Sequence, residues 1–349
     1  MVKHKVGFFF VFSEKQKGWM ASVLPGLAVL TFIFSWTGVY PSNLVETGYA
    51  RLIFPKISHM AGYLANAFAF SWLDIVIPLG LAFLIATVHH RRFRLLANLV
   101  ASLYLIFFWS WGLNYHRQPV ASKLPFDPEK TSREALEQFA RRAALEINRL
   151  YAGKQKQNYD ERRTEAEAVE RVSRVVKVID GLEWPAPSRI KNSRIADPWF
   201  HAAGVEGVFN LFGQEPIISD TLLDVERPFA MAHELGHVRG YADEGDANLI
   251  AVFATIVAGD PFFQYSGWLN LWLYLRTPAL DTLLDPGPRA DLQRIFERTR
   301  KEEVRWISNF QAAILNWYLK SNSVGEGIQS YSRVVVLAAG TEGYWARFK

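Results

Sequence analysis

Residues His233-Glu234-Leu235-Gly236-His237 read HExxH. Two histidines at this spacing on a helix share a face, one turn from each other, so both imidazoles can reach one metal ion. The glutamate between them then stands beside a metal-activated water, where its carboxylate can act as general base. That is the chemistry of a zinc hydrolase. Five residues are a short signature, and the residues that follow decide what it means.

A catalytic zinc takes three protein ligands and keeps a fourth position open for water. Gly240 can close the helix in a left-handed turn, which brings the start of the next helix back toward the metal. Three carboxylates compete there: Asp243, Glu244 and Asp246. Asp243 completes HExxHxxGxxD, the metzincin spacing with Asp in the last place. Glu244 opens Glu-x-x-Ala-Asn, which resembles the gluzincin element whose first Glu binds zinc. Asp246 points away if Glu244 points in. Glu244 is the preferred third ligand and Asp243 the alternative. Asn248 lies one turn after Glu244, and its amide can orient a ligating histidine; a surface or capping residue would look the same.

The elements that must hold these residues are legible around them. Pro228 suits the first turn of the HExxH helix, and a second helix is expected from about 243 to 258. Upstream, 205–209 and 215–218 read as two short strands joined by a Gly-containing turn. An edge strand beside a zinc site can pair with an extended substrate, although a plain structural hairpin has the same pattern. A helix begins at Ser132, with Thr131 or Ser132 as cap and an apolar stripe of Leu136, Phe139, Ala140, Ala143, Ala144 and Ile147. Residues 159–179 predict a charged, solvated helix, ended by Pro185 and Pro187. The apolar runs 247–257 and 262–275 read as buried core. Trp268, Trp272 and Tyr274 are alternatively placed to dip into a lipid leaflet. Tyr331, after the Gly325/Gly327 loop and close to Arg333, is the candidate catalytic group for stabilising an oxyanion; His201 is a second.

The first third of the chain differs in kind. Apolar stretches at about 20–39, 70–88 (carrying Asp74 near its start) and 95–115 each approach the ~20 residues that cross a bilayer as a helix, and we expect three transmembrane helices. The first is too long for a cleaved signal, and no small-x-small site follows it. Lys3, Lys5, Lys15 and Lys17 precede the first stretch, and 89–94 (HHRRFR) separates the other two. Positive charge stays inside, so the N-terminus is expected in the cytoplasm and everything after about Tyr115 outside it. Trp109, Trp111 and Tyr115 fit an aromatic belt. Residues 57–69 are expected to form an interfacial helix on the outer face. The domains are then a membrane anchor (1–115), a proline-bearing linker (116–130) and an extracytoplasmic domain (131–349).

Composition excludes other classes. With 39 Lys+Arg against 34 Asp+Glu the net charge is only +5, and no basic stripe with interleaved aromatics marks a nucleic-acid surface. The absence of cysteine excludes disulfides, Cys-ligated zinc and cysteine nucleophiles.

Several stretches together resemble a known family: Trp111–Tyr115, Gly207–Glu215, the HExxH itself, Glu244–Asn248, Tyr265–Trp268, Tyr318–Lys320 and Gly327–Tyr331. They are similar to the bacterial membrane family called domain of unknown function 3810, over most of the chain. The resemblance implies a layout of three N-terminal spans followed by an HExxH domain with a downstream Glu-x-x-Ala-Asn; it carries no settled activity. The family pattern has Glu where Asp246 stands, and usually no acid at Asp243, which weakens the metzincin alternative.

The expectation is a mainly α protein with a minor β component: three transmembrane helices followed by a mostly helical, zincin-like extracytoplasmic domain with a short hairpin. Its function is expected to be that of a multi-pass zinc metallopeptidase of the bacterial inner membrane. Zn2+ would be held by His233, His237 and Glu244, with Glu234 and Tyr331 catalytic. Its partners would be the lipid bilayer and a peptide or protein substrate, with no nucleic acid. The alternatives are a non-catalytic envelope or sensor protein with a structural zinc, and a zinc amidase acting on a non-peptide substrate.

Overall fold

The structure is a computed structural model and describes residues 14–154, 159–183 and 189–348. Lys3, Lys5, Pro185 and Pro187 lie outside the described residues. The N-terminal third contains α1 (Glu14–Trp36), α2 (Phe54–Asn66), α3 (Leu73–His89) and α4 (Phe93–Ser110). α1 packs along α4. Apolar side chains face outward on all of them, among them Leu30 and Phe34 on α1, Leu79 and Ile85 on α3, and Val100 and Ile106 on α4. α4 is long and apolar enough to cross a membrane; the other two apolar stretches, Val23–Trp36 and Leu73–His89, are shorter. α2 buries Phe54, Ser58, Gly62 and Ala65 and leaves Met60, Tyr63 and Leu64 exposed.

The third apolar stretch stops sooner than its composition suggests. α4 ends at Ser110, and Gly112–His116 forms a 3-10 turn. Gly112 permits this, because a Cβ there would sit 3.0 Å from the Phe107 ring. Trp111, Leu113 and Asn114 are buried against the following domain. Trp111 and Tyr115 therefore belong to the domain interior rather than to an aromatic belt.

The remainder is mostly helical: α5 (Arg133–Lys154), α6 (Glu161–Asp180), α7 (Asp197–Ala203), α8 (Arg227–Val238), α9 (Glu244–Ile256), α10 (Pro261–Leu275), α11 (Pro286–Glu302), α12 (Arg305–Ser321) and α13 (Val334–Thr341). One antiparallel hairpin, β1 (Gly207–Asn210) with β2 (Glu215–Ile218), pairs Gly207 with Ile218 and Asn210 with Glu215. Every residue of α9 is buried, because α8, α10, α6 and α13 surround it. A helix apolar on all sides is stable only when enclosed, and here protein encloses it. Trp268 and Trp272 are buried in the same core, so they do not reach a lipid leaflet. Ser132 caps α5 by accepting from the Ala135 N–H at 3.2 Å. α6 buries Ala168, Val172, Val175 and Val176, and most of its charges face solvent, with Asp180 at its end buried.

Residues 116–124, the first part of the stretch expected as a linker, are packed instead. Arg117 and Val120 are buried. Arg117 donates to Glu46 at 3.0 and 3.1 Å, to Asp180 at 3.0 Å, and to the carbonyls of Arg239 and Gly240 at 3.3 and 3.1 Å. Lys123 joins the same acids at 2.6 and 2.9 Å. A second buried pair, Lys191–Glu215 at 2.6 Å, fastens the hairpin to the start of α3. There Lys191 donates to the carbonyls of Ala65 and Phe70, and Glu215 accepts from the Trp72 N–H at 3.0 Å.

Burial alone would raise the Glu46 carboxyl, but Arg117 and Lys123 pull it down from its ordinary 4.5 to about 2. Removing one partner of a buried ion network leaves the others uncompensated, at a cost of about 3–5 kcal/mol. Glu46→Gln is therefore expected to lower the unfolding free energy by about 3 kcal/mol near neutral pH. A folded-state value below the ordinary one stabilises fully above 4.5, and that stabilisation is lost as pH falls through about 2. Denaturant melts at several pH values check this: the gap between parent and variant should narrow across that window, and a constant gap would refute it.

Candidate metal centre

α8 begins at Arg227-Pro228, where the missing proline N–H costs nothing in the first turn. It ends before Gly240, whose φ of +78° is left-handed and where a Cβ would come 2.7 Å from the Phe54 ring. Glycine is required there by conformation and by space. Asp243 then caps α9, accepting from the Asp246 N–H at 3.1 Å, and this sets Glu244 in the first turn of α9 facing α8.

Three atoms converge. His233 Nε2 and His237 Nε2 are 3.2 Å apart, and Glu244 Oε2 lies 3.3 Å from each. Ligands at the tetrahedral angle with bonds of about 2.0–2.1 Å are themselves about 3.3 Å apart. The donor triangle thus has the dimensions of three corners of a tetrahedral divalent site. Both remaining imidazole nitrogens are engaged: His233 Nδ1 with Asn248 Oδ1 at 2.8 Å and His237 Nδ1 with the Tyr241 carbonyl at 2.7 Å. These acceptors hold the proton on Nδ1 and turn the Nε2 lone pairs inward. Asn248 is thus an orienting residue, not a surface cap.

The other carboxylates go elsewhere. Asp243 pairs with Arg333 while capping α9, so it is not the third donor. Asp246 accepts from the Val120 N–H at 3.1 Å. His201 bonds Asp220 at 2.8 Å and does not line the cavity at the histidine pair.

The field at the triangle favours positive charge. Burial opposes ionisation of Glu244, yet the two histidines hold its carboxyl well below the usual range. Burial likewise opposes a charged His237, but Glu244 outweighs it and moves the imidazole up to about 9. Glu234 behaves oppositely, since burial pushes it up to about 6. Its Oε2 is buried with no hydrogen-bond partner among the described residues, a group free to take a proton from something in the cavity. Gly207 of β1 lies against it, and a Cβ there would be 2.6 Å from Glu234 Oε1.

These groups line a cavity of about 640 Å³. The Tyr331 ring stacks near His233, with centroids 6.4 Å apart at 18°. Burial and then the Glu244 and Glu234 charges keep its phenol protonated. Tyr115, Tyr274 and Tyr318 also line the cavity. Sequence reasoning missed these three as site residues, because Tyr115 follows an apolar helix and Tyr318 sits on a helix remote in sequence. The Trp111 indole donates to the His237 carbonyl at 3.3 Å.

A family model described as a protein of unknown function (DUF3810) matches residues 49–339, and the chain belongs to that family. No curated protein and no solved structure matches.

If this triangle is a metal site, Glu244→Ala should abolish stoichiometric binding of a divalent ion, and Asn248→Ala should weaken it about 10–100-fold. Asp220→Asn should leave it unchanged. Metal titration of the purified full chain distinguishes the three; an unaltered Glu244→Ala affinity would rule out the assignment.

Proposed function

We propose that this DUF3810 member is a membrane-anchored zinc metallopeptidase of the bacterial inner membrane. The observation that carries it is the His233–His237–Glu244 triangle with Glu234 beside it, its buried oxygen unpaired. Two imidazoles and one carboxylate around an open position are a donor set suited to catalytic zinc. Zinc, when bound, supplies Lewis acidity that polarises a scissile carbonyl and acidifies a water. Glu234 accepts the proton of the attacking water at an oxygen already shifted toward neutrality, then hands it to the leaving amine. Tyr331, a protonated phenol lining the same cavity, is the donor for the developing oxyanion.

A site serving structure alone has no use for a carboxylate placed as Glu234 is. Among the described residues β1 pairs only with β2, and Gly207, Val208 and Phe209 line the cavity. An extended polypeptide can add to that edge, which favours a peptide over other amides. The three apolar helices supply the anchor, with the N-terminus and the turn at 89–94 cytoplasmic by their positive charge. The metal domain is then extracytoplasmic.

Glu234→Gln should keep its zinc and lose turnover by about 10²–10⁴-fold. Cleavage of a peptide library by the full chain, with and without chelator, provides the readout. Cleavage undiminished in the variant, or unaffected by chelator, would sink the mechanism.

A further inference from the structure

α12 separates two environments. Ser308, Gln311, Ala312, Leu315 and Tyr318 line the metal cavity. On the opposite side Trp306, Phe310, Ile314 and Trp317 are exposed, the two tryptophans by 68% and 67%. At 100° per residue these four fall on one stripe, bounded by exposed Arg305 and Lys320 at the helix ends. An aromatic stripe with basic ends is the pattern of a helix lying in a membrane interface, where long cations reach back to the headgroups.

Its neighbours locate the stripe. At the C-terminal end, the Tyr318 ring lies 6.0 Å from that of Phe107 on α4. Just beyond, Ser323 Oγ donates to the Ser35 carbonyl of α1 at 3.2 Å. At the other end, Val304 N–H donates to the Ala202 carbonyl at 2.8 Å, and the Trp199 ring sits 6.5 Å from that of Phe310. The segment carrying Trp199 is held on α3, because Asp74 accepts from Ser193 Oγ at 2.7 Å and from the Ile195 N–H at 3.0 Å. α12 therefore bridges the C-terminal ends of α1 and α4 to the N-terminal end of α3. Given the alternating direction of the helices, all three are ends on one side. Exposed Trp36 and Trp109 mark the same level on α1 and α4.

We propose that the Trp306–Phe310–Ile314–Trp317 face of α12 is seated in the outer-leaflet interface, so that this one helix is both lipid contact and cavity wall. The occupant is a lipid surface because one end of α12 packs on α1 and α4 and the other on the segment held to α3, the helices whose outward faces are apolar. The inference rests on the membrane reading of α1, α3 and α4.

The chain has no cysteine, so single labels report single sites. Full-length Phe310→Cys and Ile314→Cys carry a nitroxide in phospholipid vesicles. Ile85→Cys on α3 is the lipid control and Glu170→Cys on the charged face of α6 the water control. Variants keeping the parent unfolding midpoint are compared by collision with oxygen and with a water-soluble nickel chelate. At 310 and 314 oxygen should broaden the signal several-fold more than the chelate, as at 85, with the reverse at 170. Labels at 310 and 314 that match 170 while 85 remains lipid-exposed overturn the seating of α12 alone. A water-exposed label at 85 overturns the membrane reading, and the seating with it.

Discussion

The guanidinium of Arg117 is the contact on which the remaining architecture depends. It follows the 3-10 turn that ends the N-terminal apolar third and is buried where four segments meet. Its five donors reach Glu46 between α1 and α2, Asp180 at the end of α6, and the two carbonyls at the end of the HExxH helix. A planar fork of fixed geometry suits this work, since one side chain can serve acids and carbonyls in different directions. Its charge is also well placed: the last carbonyls of α8 carry the negative end of the helix dipole. The Tyr241 ring lies under it at 4.4 Å, and the Tyr241 hydroxyl donates to Asp180 at 2.7 Å. The position of α8 is thereby tied to the position of α4.

That tie extends to the histidines. Tyr241, held by the Arg117 network, offers its carbonyl to His237 Nδ1, and Trp111 donates to the carbonyl of His237 itself. Gly240 admits the Phe54 ring from α2. The turn that brings Glu244 back toward the histidine pair is therefore assembled partly by residues from the N-terminal helices. The apolar third of the chain does more than attach the domain to something else: it supplies parts of the wall and of the supporting hydrogen bonds.

Local chemistry was readable from residue order and long-range chemistry was not. The HExxH helix, its glycine stop and the orienting role open to Asn248 follow from spacing within sixteen residues, 233–248, and the preference for Glu244 over Asp243 from the resemblance of Glu-x-x-Ala-Asn to the gluzincin element. The hairpin and the capped α5 were legible because turn and cap signals are local too. Arg117 read as linker because its partners lie far along the chain on both sides. Tyr115 read as part of an aromatic belt and Tyr318 drew no reading as a site residue, for the same reason: nothing local says that their rings meet, yet their centroids are 5.9 Å apart at the cavity. Trp268 and Trp272 carried an ambiguity that periodicity cannot resolve, since an apolar helix has the same composition in a core as in a leaflet. Only the helices around α10 decide it.

The basicity of Glu234 and the alignment of a polypeptide have one structural origin in the proposed reaction. β1 is pressed so closely onto α8 that Gly207 has no room for a Cβ beside Glu234. This contact excludes water from one side of the carboxylate, and burial is the main cause that raises it to about 6. It also fixes the distance between the strand edge and the histidine pair. A chain added to β1 would run past the metal donors at a separation set by backbone packing rather than by a flexible side chain. A wider gap would cool the base toward an ordinary surface glutamate and loosen the register of the substrate together, so neither property could be tuned without the other.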